Sequence, residues 1–191
     1  MTQAAMSPLT ELQLLDPDGE PTSLGAHTGD ILVLQLVRYF GCLPCQQWLI
    51  ELDRATAQLA PLGARPVAVG GSADYQARWL RDERGVRMPL LLDPDQRLRD
   101  ALQVGHLGGR LLDPRGLASY GRAMRAGLRP QRITRDTVQA PGVVILDAQL
   151  EVRWRHVGKR IGDYPRLSEV IDAVRTLAAG SIGRLDRVPE A

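Results

Sequence analysis

The two cysteines of the chain stand three positions apart in the segment FGCLPCQQW. Such a pair can cycle between dithiol and disulfide, supply half of a metal site, or lie together without function. At the start of a helix this spacing lets two sulfurs form a disulfide with little distortion. A zinc site would need further ligands, and His27, His106 and His156 are not clustered in sequence. We therefore interpret Cys42 and Cys45 as a redox pair and expect no metal and no cofactor, with two inert thiols as an alternative.

The sequence around the cysteines predicts a position that stabilises a thiolate. A buried strand ends at Arg38, a short loop follows, and a helix begins at or near Cys42, with Cys45 one turn inside it. Unpaired N–H groups and the helix dipole lower the pKa of a cysteine there below about 8.5. Pro44 fits the first helical turn, where its missing N–H costs little. Arg38 and Tyr39 lie beside the thiols, and Arg38 either stabilises a thiolate or pairs with a carboxylate.

The elements that must position this pair follow the order of an α/β protein. Apolar runs predict three buried strands, and apolar residues at helical spacing predict a helix after each strand. The predicted strands cover residues 31–38, 65–71 and 88–93, and the predicted helices cover residues 42–60, 74–84 and 96–104. This alternation implies parallel strands. The segment ELQLLDPDGEPTSL predicts an opening β-hairpin, and GVVILD with EVRWRHV predicts a closing antiparallel hairpin before a final helix at residues 164–180.

Residues 105–138 interrupt this order and are interpreted as an insertion. The segment contains seven arginines, six glycines and two aspartates. It predicts a short helix near residues 116–127, flanked by flexible loops. Its arginines form either a solvated, mobile face, which is the usual role of such a segment, or a lid that attracts an anionic substrate or an acidic partner.

Length and composition predict one domain at residues 1–180, followed by a tail at residues 181–191 that has no periodicity. The chain has 191 residues and a net charge of +2, so charge does not support a nucleic-acid partner. Its first residues lack the pattern of a secretory signal, and its longest apolar run is too short to span a bilayer. We therefore expect a cytoplasmic protein with no membrane partner. In that compartment a close cysteine pair is seldom structural.

Three segments of the chain resemble a known family. A CxPC pair that follows a buried strand and opens a long helix resembles the thioredoxin superfamily. The segments VRMPLLLDPDQRLRDALQV and APGVVILDAQLEVRWRHVGKRIGDYPRLSEVIDAV resemble peroxiredoxins. Together they are similar to the peroxiredoxin-like branch of the AhpC/TSA family, which carries CxxC where peroxiredoxins have TxxC. The resemblance covers about residues 8–176 and implies a thioredoxin-like fold, with a central mixed β-sheet flanked by helices.

The departures from these families define the expected site. Cys42 stands where peroxiredoxins have threonine, and Cys45 stands at the peroxidatic position. Pro141 stands where peroxiredoxins have an arginine that binds and polarises peroxide, and where thioredoxins have a cis-proline. We expect Pro141 to be cis, with an ordinary trans-proline at a strand entry as the alternative. Gly41 and Leu36 replace the tryptophan and the buried aspartate of thioredoxins.

The resemblance implies a thiol-based redox enzyme that cycles a disulfide between Cys42 and Cys45. In a thioredoxin-like mechanism, Cys42 is an exposed thiolate that attacks a disulfide substrate, and Cys45 resolves the product. In a peroxiredoxin-like mechanism, Cys45 attacks peroxide and Cys42 condenses with the sulfenic acid. Either mechanism needs a cellular thiol reductant, and the resemblance also suggests a homodimer. The missing arginine and aspartate motivate an alternative function, a non-catalytic binding or regulatory module on the same scaffold.

Overall fold

The computed structural model of the protein describes residues 8–27, 31–71, 73–108, 113–133 and 138–180. The strands are β1 (Leu14–Leu15), β2 (Pro21–Thr22), β3 (Ile31–Leu36), β4 (Ala64–Gly70), β5 (Leu90–Leu92), β6 (Gly142–Leu146) and β7 (Val152–Val157). The α-helices are α1 (Leu43–Arg54), α2 (Thr56–Leu59), α3 (Asp74–Arg84), α4 (Arg97–Ala101), α5 (Pro114–Arg125) and α6 (Leu167–Ala178). The strands form one mixed sheet in the order β2-β1-β5-β4-β3-β6-β7.

Strand β3 lies inside the sheet and leads directly to the cysteine pair. It is parallel to β4, with Leu34 opposite Val67, and antiparallel to β6, with Leu34 opposite Val144. Strand β4 is also parallel to β5, and β6 is antiparallel to β7, so the predicted parallel strands and the closing antiparallel hairpin are confirmed. Because the sheet is covered on both faces, β3 is a continuous apolar run in which every residue after Ile31 is buried.

Alternate residues of β3 face two separate apolar layers. Val33 packs in the layer that includes buried residues of α1, α3 and α6. Leu32 and Leu34 pack in the layer that includes α4 and the first strand. Side chains on a strand point to opposite faces in turn, so one short segment joins both halves of the core. Each fully buried leucine there contributes about 1.5–3 kcal/mol relative to an exposed one.

The helices match their predicted positions with one interruption. The predicted helix at residues 42–60 is divided at Ala55 into α1 and α2. At the break the Thr56 hydroxyl donates to the carbonyl oxygen of Asp53 at 2.7 Å, a local bond that competes with regular helix geometry. None of the helices in the described ranges combines the length and the apolar character that crossing a bilayer requires.

The inserted segment contains the predicted helix, α5, and this helix is anchored to the domain. Leu43 at the start of α1 forms a buried apolar cluster with Ala123 and Leu128 from the insertion. The arginines of the insertion that the structure describes, at positions 115, 122, 125, 129 and 132, are exposed. This exposure agrees with a solvated face and does not decide between it and a lid, and the helix itself covers part of α1. The insertion's residues 109–112 and 134–137 and the predicted tail at 181–191 lie outside the described residues.

Candidate active site

The cysteine pair lies at the junction between β3 and α1. Cys42 is the N-cap residue of α1, and Pro44 and Cys45 lie in its first turn, as the sequence predicts. Both cysteines are reduced, and neither has any solvent-exposed surface. This burial contradicts the expectation that Cys42 is an exposed thiolate. The reason is tertiary, because α5 and the loop before α6 cover the start of α1.

Arg38 and Tyr39 are brought to Cys42, as expected. The guanidinium Nη1 of Arg38 donates to the Cys42 sulfur at 3.7 Å. The same guanidinium lies 5.8 Å from the centroid of the Tyr39 ring. Arg38 is only 3% exposed, so its charge acts on the thiols through a medium of low polarity.

The pKa values of the two thiols are shifted in opposite directions. Burial raises the pKa of Cys42 well above its usual value, and the contact with Cys45 raises it further. Burial also disfavours the Cys45 thiolate, but three kinds of contact outweigh it. Hydrogen bonding to Cys42, the charge of Arg38 and the hydroxyl of Tyr164 lower the pKa of Cys45 to about 7. These shifts favour the Cys45 thiolate over the Cys42 thiolate near neutral pH, with Cys42 as the hydrogen-bond donor of the pair.

A tyrosine of the insertion contacts the outer cysteine. The Tyr120 hydroxyl lies 4.0 Å from the Cys42 sulfur. Burial raises the pKa of Tyr120 well above its usual range, so its hydroxyl stays protonated. Gly162, in the loop before α6, lies against the insertion as well, because a Cβ there would come within 2.6 Å of the Ser119 hydroxyl and 2.9 Å of Pro44. Sequence reasoning missed Tyr120 because no local pattern links it to a cysteine 78 positions away.

One further side chain, which the sequence does not reveal, holds the loop that carries the cysteines. Gln76 of α3 accepts from the Gly41 N–H at 2.8 Å and donates to the Arg132 carbonyl at 2.7 Å. A Cβ on Gly41 would lie 2.5 Å from the Gln76 amide nitrogen, which explains the glycine at this position. Gln76 thus ties the cysteine loop to the insertion.

Arg99 connects the end of β3 to the segment before β6. Its guanidinium donates to the carbonyl oxygens of Val37 and Ala140, both at 2.6 Å. Arg99 is 3% exposed. Its two charge-assisted hydrogen bonds therefore hold the backbone in the interior. One acceptor directly precedes Arg38, and the other directly precedes Pro141.

Pro141 is buried beside the hydrogen bond from Arg99 to Ala140, and the peptide bond before it is trans. No peptide bond in the described part of the chain is cis, so the expectation of a cis-proline is wrong. The flanking backbone is paired on both sides: the Ala140 N–H donates to Gly105, and the Pro141 carbonyl accepts from Gly158 at 2.7 Å. This backbone pairing accommodates the generally preferred trans form at the entry to β6. Pro141 therefore serves as a strand-entry residue.

The chain matches a protein family and resembles solved structures. A model of the AhpC/TSA family matches residues 5–155. The bacterioferritin comigratory protein of Xanthomonas campestris aligns with 93% of this chain and 98% of its own, at a TM-score of 0.61 and 16% identity. A peroxiredoxin-like protein from Aquifex aeolicus aligns over 86% of this chain and 82% of its own, at a TM-score of 0.60 and 15% identity.

A third structure comes from another group of thiol proteins. A putative thiol:disulfide interchange protein DsbE from Chlorobium tepidum covers 87% of this chain and 92% of its own, at a TM-score of 0.55 and 17% identity. These structural likenesses confirm the expected thioredoxin-like fold. No curated protein sequence matches the chain significantly.

Proposed function

Because the chain belongs to the AhpC/TSA family, it is a thiol-based redox protein, and we propose that it reduces peroxides with Cys45 as the attacking thiolate and Cys42 as the resolving thiol. The feature that carries this assignment is the opposite shift of the two thiol pKa values, caused by the contacts of Arg38 and Tyr164 with the pair. The pKa of Cys45 is lowered to about 7, whereas that of Cys42 is raised well above its usual value. The thiolate is the nucleophilic form, so Cys45 is the reactive sulfur near neutral pH.

Arg38 supports this chemistry in the absence of the family's usual arginine. The position of that arginine holds Pro141, which has no charge. Arg38 lies within 3.7 Å of Cys42 and lowers the pKa of Cys45. We infer that its guanidinium takes over the stabilisation of the thiolate and of the negative charge that develops on the peroxide oxygen.

Burial of both sulfurs favours a small substrate over a protein disulfide. Attack on a disulfide requires a thiolate to reach the partner's sulfur, and neither cysteine here has any exposed surface. A peroxide is small enough to reach the sulfurs with only a minor movement of α5 or of the loop before α6. The Xanthomonas campestris protein named above has alkyl peroxide reduction activity, a reaction of this type.

The proposed cycle balances with one peroxide and two thiols. The Cys45 thiolate attacks one oxygen of ROOH, the O–O bond breaks, and the leaving RO⁻ takes a proton to become ROH. Cys45 is thereby oxidised to a sulfenic acid. Cys42 then loses its proton and attacks the Cys45 sulfur, the S–O bond breaks, and water leaves. The resulting disulfide is reduced by two equivalents of a cellular thiol, which completes the cycle.

The test uses the two single-cysteine variants with stoichiometric hydrogen peroxide. We expect Cys42→Ser to accumulate sulfenic acid at Cys45 and Cys45→Ser to react far more slowly. The unsubstituted protein should form the disulfide between the two residues, detected by peptide mass spectrometry. Equal rates for both variants, or no oxidation of Cys45, would overturn the assignment of Cys45 as the nucleophile.

A further inference from the structure

One buried hydroxyl beside Cys45 receives no role from the sequence. Tyr164 lies in the GDYP segment between β7 and α6. Its hydroxyl is buried, and no described residue meets the distance and angle of a hydrogen bond with it. A hydroxyl taken out of water needs a partner, because an unpaired buried donor costs about 1–3 kcal/mol. The groups around Tyr164 indicate what that partner is.

The Tyr164 ring is held by the helix that carries the thiols. It stacks on the ring of Trp48, with centroids 5.0 Å apart and planes 14° apart. The Trp48 indole N–H donates to the carbonyl oxygen of Pro165 at 3.0 Å, which ties the same segment to α1. Trp48 follows Cys45 by three positions, so the two side chains share one face of α1. The ring therefore keeps a defined position relative to the Cys45 sulfur.

A second side chain, from strand β3 of the sheet, contacts the backbone of Cys45. Gln35 of β3 has no exposed surface, and its amide nitrogen donates to the carbonyl oxygen of Cys45 at 3.1 Å. Its amide oxygen has no hydrogen-bond partner within the described residues. Gln35 partly offsets the rise in the pKa of Tyr164, which indicates that its amide is near that hydroxyl. Residues from β3, α1 and the segment before α6 thus meet at Cys45.

We propose that Tyr164 is a further catalytic residue, whose hydroxyl donates a hydrogen bond to the Cys45 sulfur when that sulfur is a thiolate. The inference rests on the proposed role of Cys45 as the nucleophile. The phenol can act only as a donor and not as an acid, because burial and the charge on the neighbouring cysteines raise the pKa of Tyr164 well above its usual value. The hydroxyl therefore keeps its proton while Cys45 ionises.

This bond gives the thiolate a neutral donor in addition to Cys42 and the charge of Arg38. Cys42 has a second role as the resolving nucleophile, whereas the Tyr164 hydroxyl serves only as a donor. Gln35 and Trp48 act as positioning residues, since they orient the phenol and do not react. A thiolate without exposed surface is stabilised only by such internal donors.

The test measures the ionisation of Cys45 without any peroxide. In the Cys42→Ser background only one thiol remains, so the ultraviolet absorbance of the thiolate reports its titration directly. Adding Tyr164→Phe keeps the ring and removes the hydroxyl. We expect the midpoint to move about 1 pH unit upward and the thiolate fraction at pH 7 to fall about fivefold. Adding Thr176→Val, which removes a hydroxyl on the exposed face of α6, should leave the midpoint unchanged. An unchanged midpoint in the Tyr164→Phe variant would overturn the proposal.

A second measurement uses the unsubstituted reduced protein, in case Tyr164→Phe impairs folding. The buried Tyr164 hydroxyl proton should be visible by NMR and should shift downfield as Cys45 ionises. A hydroxyl resonance that does not respond to this ionisation contradicts the proposal. Neither measurement depends on peroxidase activity, so a failure of the peroxide experiment and a failure of this inference are distinguishable.

Discussion

Arg38 Nη1 lies 3.7 Å from the Cys42 sulfur, so the second residue after β3 bonds to the residue that caps α1. A buried cation, Arg38, and a buried thiol, Cys42, are therefore in contact between the end of the strand and the start of the helix. This contact places positive charge beside the cysteine pair, at a point where solvent cannot screen it. The charge favours whichever sulfur ionises, and the contact between the two thiols makes that sulfur Cys45.

Replacing Arg38 should raise the pKa of Cys45 and slow its oxidation. Arg38→Met removes the charge but keeps the apolar stem, and an opposite charge at this range typically lowers a pKa by about 1–3. We expect the rate of peroxide oxidation at pH 7 to fall about tenfold or more, measured by stopped-flow mixing with hydrogen peroxide. Arg38→Lys should give an intermediate rate. Arg175→Met, on the exposed face of α6, is the control, and an equal loss there would contradict a specific role for Arg38.

The stability of the reduced protein should depend on pH through the cysteines. The pKa of Cys45 is lower in the folded protein, at about 7, than its usual 9.0. The stability from this group is therefore absent below about pH 7, grows up to about pH 9, and remains above that. The pKa of Cys42 is raised, so this residue removes stability above about pH 9.

The measurement is urea unfolding of the reduced protein and of Cys45→Ser at about pH 6.5 and pH 8.5. We expect the unsubstituted protein to gain about 1–2 kcal/mol relative to Cys45→Ser over this interval. The comparison cancels the titration of shared groups that do not contact Cys45, and burial alone raises the pKa of Cys42 in both proteins. A constant difference between them would mean that Cys45 ionises equally in the folded and unfolded chains.

Disrupting the interface between α5 and α1 should expose the thiols. Ala123 is fully buried against Leu43 and Leu128, whereas the neighbouring Met124 is 53% exposed. An unpaired carboxylate is costly in an apolar interface, so Ala123→Asp should displace the helix. We expect the thiols to react with the bulky reagent DTNB about tenfold faster. Met124→Asp adds the same charge at the surface and should leave the rate unchanged. Slow reaction in both variants would show that α5 does not control access.

Removing Arg99 should destabilise the domain and disturb the site. Arg99→Met leaves the carbonyl oxygens of Val37 and Ala140 without their charged donor. We expect a loss of roughly 2–4 kcal/mol in the free energy of unfolding, measured with urea. Arg97→Met is the matched control, because that side chain is exposed on the same helix. If both variants lose equal stability, the hydrogen bonds of Arg99 to Val37 and Ala140 make no specific contribution to the free energy of unfolding.

The sequence alone predicts the scaffold of this protein and the location of its reactive pair. The strands β3, β4 and β6 and the helices α1, α3 and α6 follow from apolar periodicity, which is a local property. The placement of Cys42 and Cys45 at a helix start follows equally from the preceding apolar run and from Pro44. Even the helix inside the insertion is visible from its spacing, although its contact with α1 is not.

Tertiary structure alone decides which cysteine ionises and what surrounds it. The pKa of each thiol depends on burial and on the residues that reach it from distant parts of the chain. Tyr120 and Tyr164 come from the insertion and from the segment before α6, and no pattern near Cys45 predicts either one. The backbone bonds of Ala140 to Gly105 and of Pro141 to Gly158 likewise join residues that are far apart in the sequence. Local sequence determines where a thiol stands on its helix, whereas the packed neighbours determine its charge.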